Sequence, residues 1–408
     1  MVVTGLGAVT PVGKNVAQTW DALIAGKSGI ARIAEFDPSN LETQFAGEVK
    51  EWDPQAYFNR KEARRLDRAV QFAAVAAREA AGDAGLELED GKGERASVII
   101  GTAIGTAWTI YNQVLDFAER GPRHVSPLFV AMGLPDTAAA QVAMELGATG
   151  LNLALASACA TGANAIGEGS EVIRRGDADI VIAGGTEAGI LPVVVAGFNN
   201  MKALSTYNRD PAGACRPFDA MRDGFVLSEG AGVVVLERFE LAQARGAHIY
   251  GEIAGYGSTV DAMNWAAPME GGKGIARTMA RAFERSGLRP EDINYINAHG
   301  TATRLNDRTE TEGIKQVFGE RAYRVPVSST KSMTGHMMGA AGAVEAIACL
   351  KAMQVGMIPP TINYAHCDPE CDLDYVPNIA RPARIDVAMS NSIGIGGHNA
   401  TLILSRVE

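Results

Sequence analysis

Two stretches decide the fold when read together: "ALASACATGANAIGEGSEVIRRG" (154–176) and "PVSSTKSMTGHMMGAAGAVEAI" (326–347). Each passes from a short apolar run through a turn of small residues into a Gly/Ala-rich helical period. The match is slight residue by residue and lies in the pattern. A strand–turn–helix unit repeated in two distant places predicts an α/β chain built twice over, with halves at 1–248 and 249–408.

Outward from these units, apolar runs bounded by glycine recur at 96–102, 151–158, 179–185, 232–238, 249–257, 293–301, 325–330, 386–392 and 399–407. Continuous apolar runs of this length predict strands covered on both faces. Between them, helical periods span Arg64–Gly82, Thr161–Arg175, Gly274–Ser286 and Gly339–Met353. No Pro/Ser-rich linker separates the halves, so they are expected to share one body.

Composition narrows the function classes. Of 408 residues 47% are hydrophobic and 21% charged, as in ordinary globular proteins, and the net charge is −10. A field of that sign excludes general binding to nucleic acid or anionic membranes. Five scattered cysteines do not form a disulfide framework. The opening "MVVTGLGAVTPVG" has no basic leader or apolar core, and no window is continuously apolar over a membrane's thickness. The expected location is the cytoplasm.

Cys159 stands where the first unit's strand gives way to its helix. A free cysteine is often only a small buried hydrophobe. A strand-to-helix turn, however, presents a side chain well, and the amides of the following helix favour a thiolate there. Ala158, Ala160 and Gly162 leave room beside it. A thiol nucleophile also needs groups that move protons or hold charge. Of six histidines, His299 and His336 close strand-like runs beside glycines, where α/β enzymes gather their sites. Lys331 lies five residues before His336. His124 and His248 have no such company. "HCDPEC" (366–371) lacks a second ligand pair at metal-site spacing. "GLGAVT" (5–10) lacks the third glycine of a dinucleotide fingerprint, and "SIGIGG" (392–397) lacks the Lys-Ser/Thr of a phosphate loop.

"ACATG" with Cys159, "NAHGTAT" with His299, "STKSMTGHMMGAAGAVEA" with Lys331 and His336, and "SNSIGIGGHN" together closely resemble the β-ketoacyl-acyl-carrier-protein synthases. The likeness is greatest to the elongating type II condensing enzymes of the thiolase superfamily. It also covers "RPFDAMRDGFVLSEGAG" and "DADIVIAGGTEA", so it runs the length of the chain. The resemblance implies a thiolase fold of two pseudo-duplicated halves in five αβαβα layers, paired as a homodimer. It implies acyl transfer from acyl carrier protein to Cys159, then decarboxylating condensation with malonyl-carrier protein to a β-ketoacyl product for fatty-acid elongation. No cofactor is implied; the phosphopantetheine arm arrives on the carrier.

By the same resemblance, His299 and His336 donate to the developing enolate, and the backbone N–H groups of Cys159 and Ile395 form the oxyanion hole. Ile104, Ile393 and Ile395 border the acyl pocket, and Thr301 and Thr303 hold the pantetheine arm. Lys331 acts with a supporting network of Glu345, Asp307 and Glu310. Asn297, Glu345, Ser390 and Asn391 match a buried site that holds either a cation or a plain hydrogen-bond network. "NRKEARRLDR" (59–68) sets Arg60, Lys61, Arg64, Arg65 and Arg68 against two acidic residues, and with Lys202 it matches a docking patch for an acidic carrier.

The chain departs from the family where Ile393 and Ile395 replace the usual gate phenylalanines, and where Asn264, Ala266 and Arg304 replace the commoner His, Thr and Pro. These departures leave a type II polyketide ketosynthase as the alternative. A non-decarboxylating thiolase would need a second cysteine in 390–399, which has none. A subunit that only sets chain length would lack the nucleophile.

Overall fold

The computed structural model describes residues 1–88 and 91–407. The apolar runs become β1 (Val2–Val9), β2 (Ala96–Gly101), β3 (Asn152–Leu153), β4 (Ile180–Glu187) and β5 (Gly230–Glu237). They are followed by β6 (Gly251–Val260), β7 (Tyr295–Asn297), β8 (Val327–Ser328), β9 (Val387–Gly394) and β10 (His398–Ser405). Side by side, the strands run β1-β5-β4-β2-β3 in the first half and β6-β10-β9-β7-β8 in the second. Each position in one half matches the strand five numbers later in the other. The senses match too: β1/β5 and β6/β10 are antiparallel, β4/β2 and β9/β7 parallel. A two-residue bridge, Val2–Glu252 and Val3–Gly251, joins the two five-stranded halves.

Seven helices frame the sheets: α1 (Arg68–Asp83), α2 (Ala107–Arg120), α3 (Thr137–Leu146), α4 (Thr161–Arg174), α5 (Lys273–Ser286), α6 (Arg304–Phe318) and α7 (Ala341–Val355). α1 covers the outer face of the first sheet, and α5 covers that of the second, with α6 packed beside it. α4 and α7 lie between the sheets, each touching strands of both. This is the five-layered αβαβα order of a thiolase fold. α7 is buried nearly all round, as a helix apolar on every face must be. The stretch Met338–Val355 is long and apolar enough to cross a membrane, yet 83% of it is buried inside the fold.

The central layer is tight because its contacts are glycines and alanines. A Cβ on Gly162 would stand 2.7 Å from the Ala343 nitrogen and 2.9 Å from the Gly339 oxygen; one on Gly342 would stand 2.8 Å from the Ala163 nitrogen. The first turns of α4 and α7 therefore touch backbone to backbone, and each follows one of the two sequence units.

Three expected elements differ, and one of them, the run 325–330, pairs only as the two-residue β8 at the sheet's other edge. The run 151–158 forms only the two-residue β3, because it lies on the open edge beyond β2 and has no outer neighbour. It still follows β2, with the Val98 N–H on the Leu151 carbonyl at 2.9 Å and the Thr102 N–H on that of Leu155 at 3.1 Å. The helix expected from Arg64 starts at Arg68, because Asp67 caps it by accepting the Ala69 N–H at 3.0 Å. Arg60–Ala63 forms a separate turn capped by Asn59.

Gly162→Val is expected to destabilise the fold by about 3 kcal/mol or more, because rigid backbone meets the new atoms. Gly82→Ala, on an exposed helical position with nothing within 4 Å of the new Cβ, is expected to stabilise by about 0.5–1 kcal/mol. Denaturant unfolding of the two variants checks both signs.

Candidate active site

Cys159 lies in the single turn Ala158–Ala160 that leads into α4. Ala158 is held at φ 49°, a left-handed conformation that alanine rarely adopts. Thr161 clamps this turn: its hydroxyl donates to the Ala158 carbonyl at 2.7 Å and accepts the Ser157 N–H at 2.8 Å. His299 follows β7, with its N–H and that of Gly300 both donated to the Glu310 carboxylate at 2.8 Å. His336 is held by its backbone, donating to Val226 at 2.7 Å and accepting from Ser228 at 3.0 Å. Its ring packs edge-on to Phe225, with centroids 5.5 Å apart.

The thiol and the two imidazoles converge, with one ligand atom from each lying within 4.8 Å of the others, all buried. The imidazole rings stand nearly perpendicular with centroids 5.2 Å apart. Burial, the Lys331 ammonium and His336 hold His299 well below the usual imidazole range; burial and Lys331 do the same for His336. Both rings are therefore neutral near pH 7, and each keeps one N–H to donate and one lone pair to accept. Lys331 pairs with Glu345 in a buried contact.

Cys159 departs from the thiolate expected of a helix start. Burial pushes the thiol up to about 11, and the Ile395 N–H only partly opposes this. The resting group is a neutral thiol with both imidazoles within 4.8 Å of it. The glycine loop reaches the sulfur because Gly394 has no side chain: a Cβ there would lie 3.1 Å from the Cys159 nitrogen and 3.0 Å from the Ser157 oxygen.

A cavity of about 380 Å³ opens onto this group, bordered by Cys159, His299, His336, Ile393 and Ile395. Thr301 and Thr303 line it farther out, with their hydroxyls 3.0 Å apart. Ile104 does not line it; its backbone N–H lies on Glu187 and its Cδ1 points toward Gly189. Asp307 and Glu310 touch backbone rather than the cavity: Asp307 accepts the Phe218 N–H at 2.7 Å and the Ala302 N–H at 3.2 Å. Burial pushes Glu310 up to about 7.

For the buried cation, Asn297 and Ser390 are cross-strand partners on β7 and β9. Both side-chain atoms of Asn297, the Ser390 hydroxyl and the Glu345 Oε2 are buried without hydrogen-bond partners. Uncompensated oxygens of this kind fit a hard cation. Asn391 does not add its side chain, because its Oδ1 accepts the Thr401 hydroxyl at 2.8 Å.

In the basic segment, Arg60, Lys61, Arg64 and Arg65 are exposed and border one shallow surface pocket. Arg68 is a correction to the docking patch. Its guanidinium is taken by buried Glu229, at 2.8 and 2.6 Å, and its side chain is only 14% exposed. Lys202 stands at the cavity mouth, paired with Glu42 at 2.9 Å.

Two further residues escaped the sequence reading. Glu187 ends β4 fully buried and accepts N–H bonds from Ala103 at 2.8 Å and Gly339 at 3.1 Å, with burial pushing it up to about 7. Arg222, 2% exposed, bonds to Asp368 at 2.5 Å and to the Arg304 carbonyl at 3.2 Å. The available signal was an acid ending the otherwise apolar "IVIAGGTE", and an arginine inside a family motif.

The duplicated αβαβα body, with this cavity between its halves' turns, is that of an enzyme that transfers and condenses acyl groups. Residues 1–242 match the model of the β-ketoacyl synthase N-terminal domain and residues 250–365 that of its C-terminal domain. The chain belongs to the β-ketoacyl synthase family. It is 48% identical over 408 residues to a 3-oxoacyl-[acyl-carrier-protein] synthase 2 of Staphylococcus aureus, covering all of this chain and 98% of the relative. It is 47% identical over the same span to the protein of that name from a Synechocystis species. Among solved structures, it matches a type II PKS ketosynthase in complex with its acyl-carrier protein, with a TM-score of 0.93, 35% identity, and coverage of 100% and 99%. A β-ketoacyl synthase from Burkholderia phymatum gives a TM-score of 0.92 and 35% identity, with the same coverage.

The raised thiol fixes a pH response. Below a pKa near 11 the thiolate fraction grows about tenfold per pH unit. Alkylation of Cys159 in the free protein is therefore expected to climb without a plateau from pH 7 to 9. Rates from peptide-mapped labelling check this; a plateau near neutrality would contradict it.

Proposed function

We propose that the protein is a 3-oxoacyl-acyl-carrier-protein synthase of fatty-acid elongation, and that Cys159, His299 and His336 carry its chemistry. One observation carries the reading: a buried thiol and two neutral imidazoles share one end of a cavity whose other end is open. The thiol attacks the carbonyl of an acyl-carrier thioester. The new S–C bond forms, the carrier's C–S bond breaks, and an imidazole passes the thiol's proton to the departing carrier thiol.

Malonyl-carrier protein then takes the carrier's place. Its C–C bond to the carboxylate breaks and carbon dioxide leaves. The electron pair spreads onto the thioester oxygen, where the N–H groups of His299 and His336 receive it. The enolate carbon attacks the acyl group on Cys159, and the oxyanion is held by the N–H groups of Cys159 and Ile395. Collapse expels the cysteine thiolate, which takes up a proton from solvent, and the product is two carbons longer. The reaction calls for no cofactor of the enzyme's own. Lys331 keeps the imidazoles uncharged, and Glu310 and Asp307 position the His299–Thr303 loop that holds the arm. A hard cation at Asn297, Ser390 and Glu345 would brace the floor under that loop.

The reading also includes the partners. Arg60, Lys61, Arg64 and Arg65 would attract an acidic carrier, with Lys202 at the mouth. The division into 1–248 and 249–408 is supported by the five-strand repeat and by the gap between the two domain matches. The open edge at β3 exposes Leu151 and Leu153, and the neighbouring α2 and α3 expose Phe117 and Met144. An apolar face around an unpaired strand suits a second copy of this chain. The reading places the enzyme in the cytoplasm, where its carrier is made.

Cys159→Ala is expected to abolish β-ketoacyl and carbon dioxide formation from acyl- and malonyl-carrier protein, and His299→Ala to reduce it by about 10²–10⁴-fold. Full activity in the cysteine variant would overturn the assignment. Because isoleucine leaves a wider gate than phenylalanine, Ile395→Phe should lower kcat/KM most for the longest acyl chains, by roughly tenfold. Product profiles across a series of acyl lengths measure this, and also separate fatty-acid from polyketide substrates. Leu153→Lys is expected to shift the protein from dimer to monomer in light scattering.

A further inference from the structure

The charged residues around the cavity are unevenly placed. Beyond Cys159 and the two histidines, the ionisable side chains among those that border it are Lys202, Asp223 and Arg304, all three exposed while the thiol is buried. The walls between are neutral, with Thr301, Thr303 and Ala266 among them. Such a tunnel suits a chain of neutral amides and hydroxyls that ends in an ion.

The sign of that ion follows from what each group already holds. Lys202 Nζ is shared with Glu42, at 2.9 and 3.0 Å. Asp223 accepts the Thr206 N–H at 3.1 Å. Asp368, whose carboxyl the Arg304 charge helps to hold low, is already bonded to Arg222 at 2.5 Å. The Arg304 side chain is exposed and makes no ion pair within 4.0 Å among the described residues; its Nε lies 3.5 Å from the Arg222 carbonyl. That contact lays the guanidinium along the 222–224 turn. The turn is tied to the opposite wall by the Gly224 N–H on the Ala302 carbonyl at 3.2 Å. Arg304 is also the first residue of the 15-residue α6, whose N-terminal amides add partial positive charge. Its carbonyl is fixed by buried Arg222 at 3.2 Å. An unpaired, forked cation is thus braced at the lip of a neutral tunnel.

We propose that Arg304, seconded by Lys202, binds the phosphodiester at the outer end of the carrier's prosthetic arm, and so favours acyl donors that bring this group. The proposal rests on the condensing reading above. A guanidinium matches a phosphate with two parallel hydrogen bonds, whereas a proline at this position would offer none.

The test compares acyl transfer to Cys159 from two carrier-free donors, acyl-phosphopantetheine and acyl-pantetheine, which differ only in the phosphate. The wild type is expected to favour the phosphorylated donor by about tenfold in kcat/KM, the worth of one partly exposed charge-assisted contact. Arg304→Gln should reduce that ratio to below about twofold, and Arg304→Lys should keep part of it. A general loss of structure would lower both rates without moving the ratio. An unchanged ratio in Arg304→Gln, or a wild-type ratio near one, overturns the proposal and leaves the condensing reading intact. So does a loss confined to carrier-borne substrate, which would place Arg304 against acidic side chains of the carrier. No transfer from either donor to the wild type overturns the condensing reading, and the clamp with it.

Discussion

The site depends on one close contact, that between the first turns of α4 and α7. Gly162 and Ala163 on one side meet Gly339, Gly342 and Ala343 on the other, with no room for a single added carbon. Cys159 stands just before α4 and His336 just before the turn that opens α7, so helix axes held this close bring thiol and imidazole together. Larger residues at the crossing would part the helices and the two sheets that rest on them. The small-residue composition of both units is thus a packing requirement with a catalytic result.

The same burial sets the protonation states. Two imidazoles lose their charged forms because they are desolvated beside an ammonium, and the thiol keeps its proton for the first of those reasons. Lys331 retains a partner in Glu345, and Glu310 and Glu187 spend their oxygens on backbone N–H groups. Glu187, Glu310, Lys331 and Glu345 are thus held away from the cavity lining, and the charged side chains that do border it, Lys202, Asp223 and Arg304, are exposed.

Much of this was legible before any coordinates. The repeated unit announced two halves, and the small-residue turns marked Cys159, His299 and His336, although only His299 closely follows a strand. What misled was context. Residues 151–158 have the composition of a buried strand, but an edge position leaves them only two paired residues. Arg68 reads as one of five similar basic residues until Glu229, 161 positions away, is found to hold it. The helix start after Cys159 suggested a thiolate, and complete burial outweighed it.

The sequence by itself determined the local units: where most of the strands and helices run, which turns are made of small residues, and that a thiol and two imidazoles stand in such turns. These follow from periodicity and side-chain chemistry within a few residues. Only the tertiary structure decided which charges are spent in pairs, which polar atoms are left without partners, and how a thiol and two imidazoles from opposite halves come within 4.8 Å. Those properties are sums over neighbours distant in the chain. Desolvation and pairing have no value until the fold has chosen the neighbours.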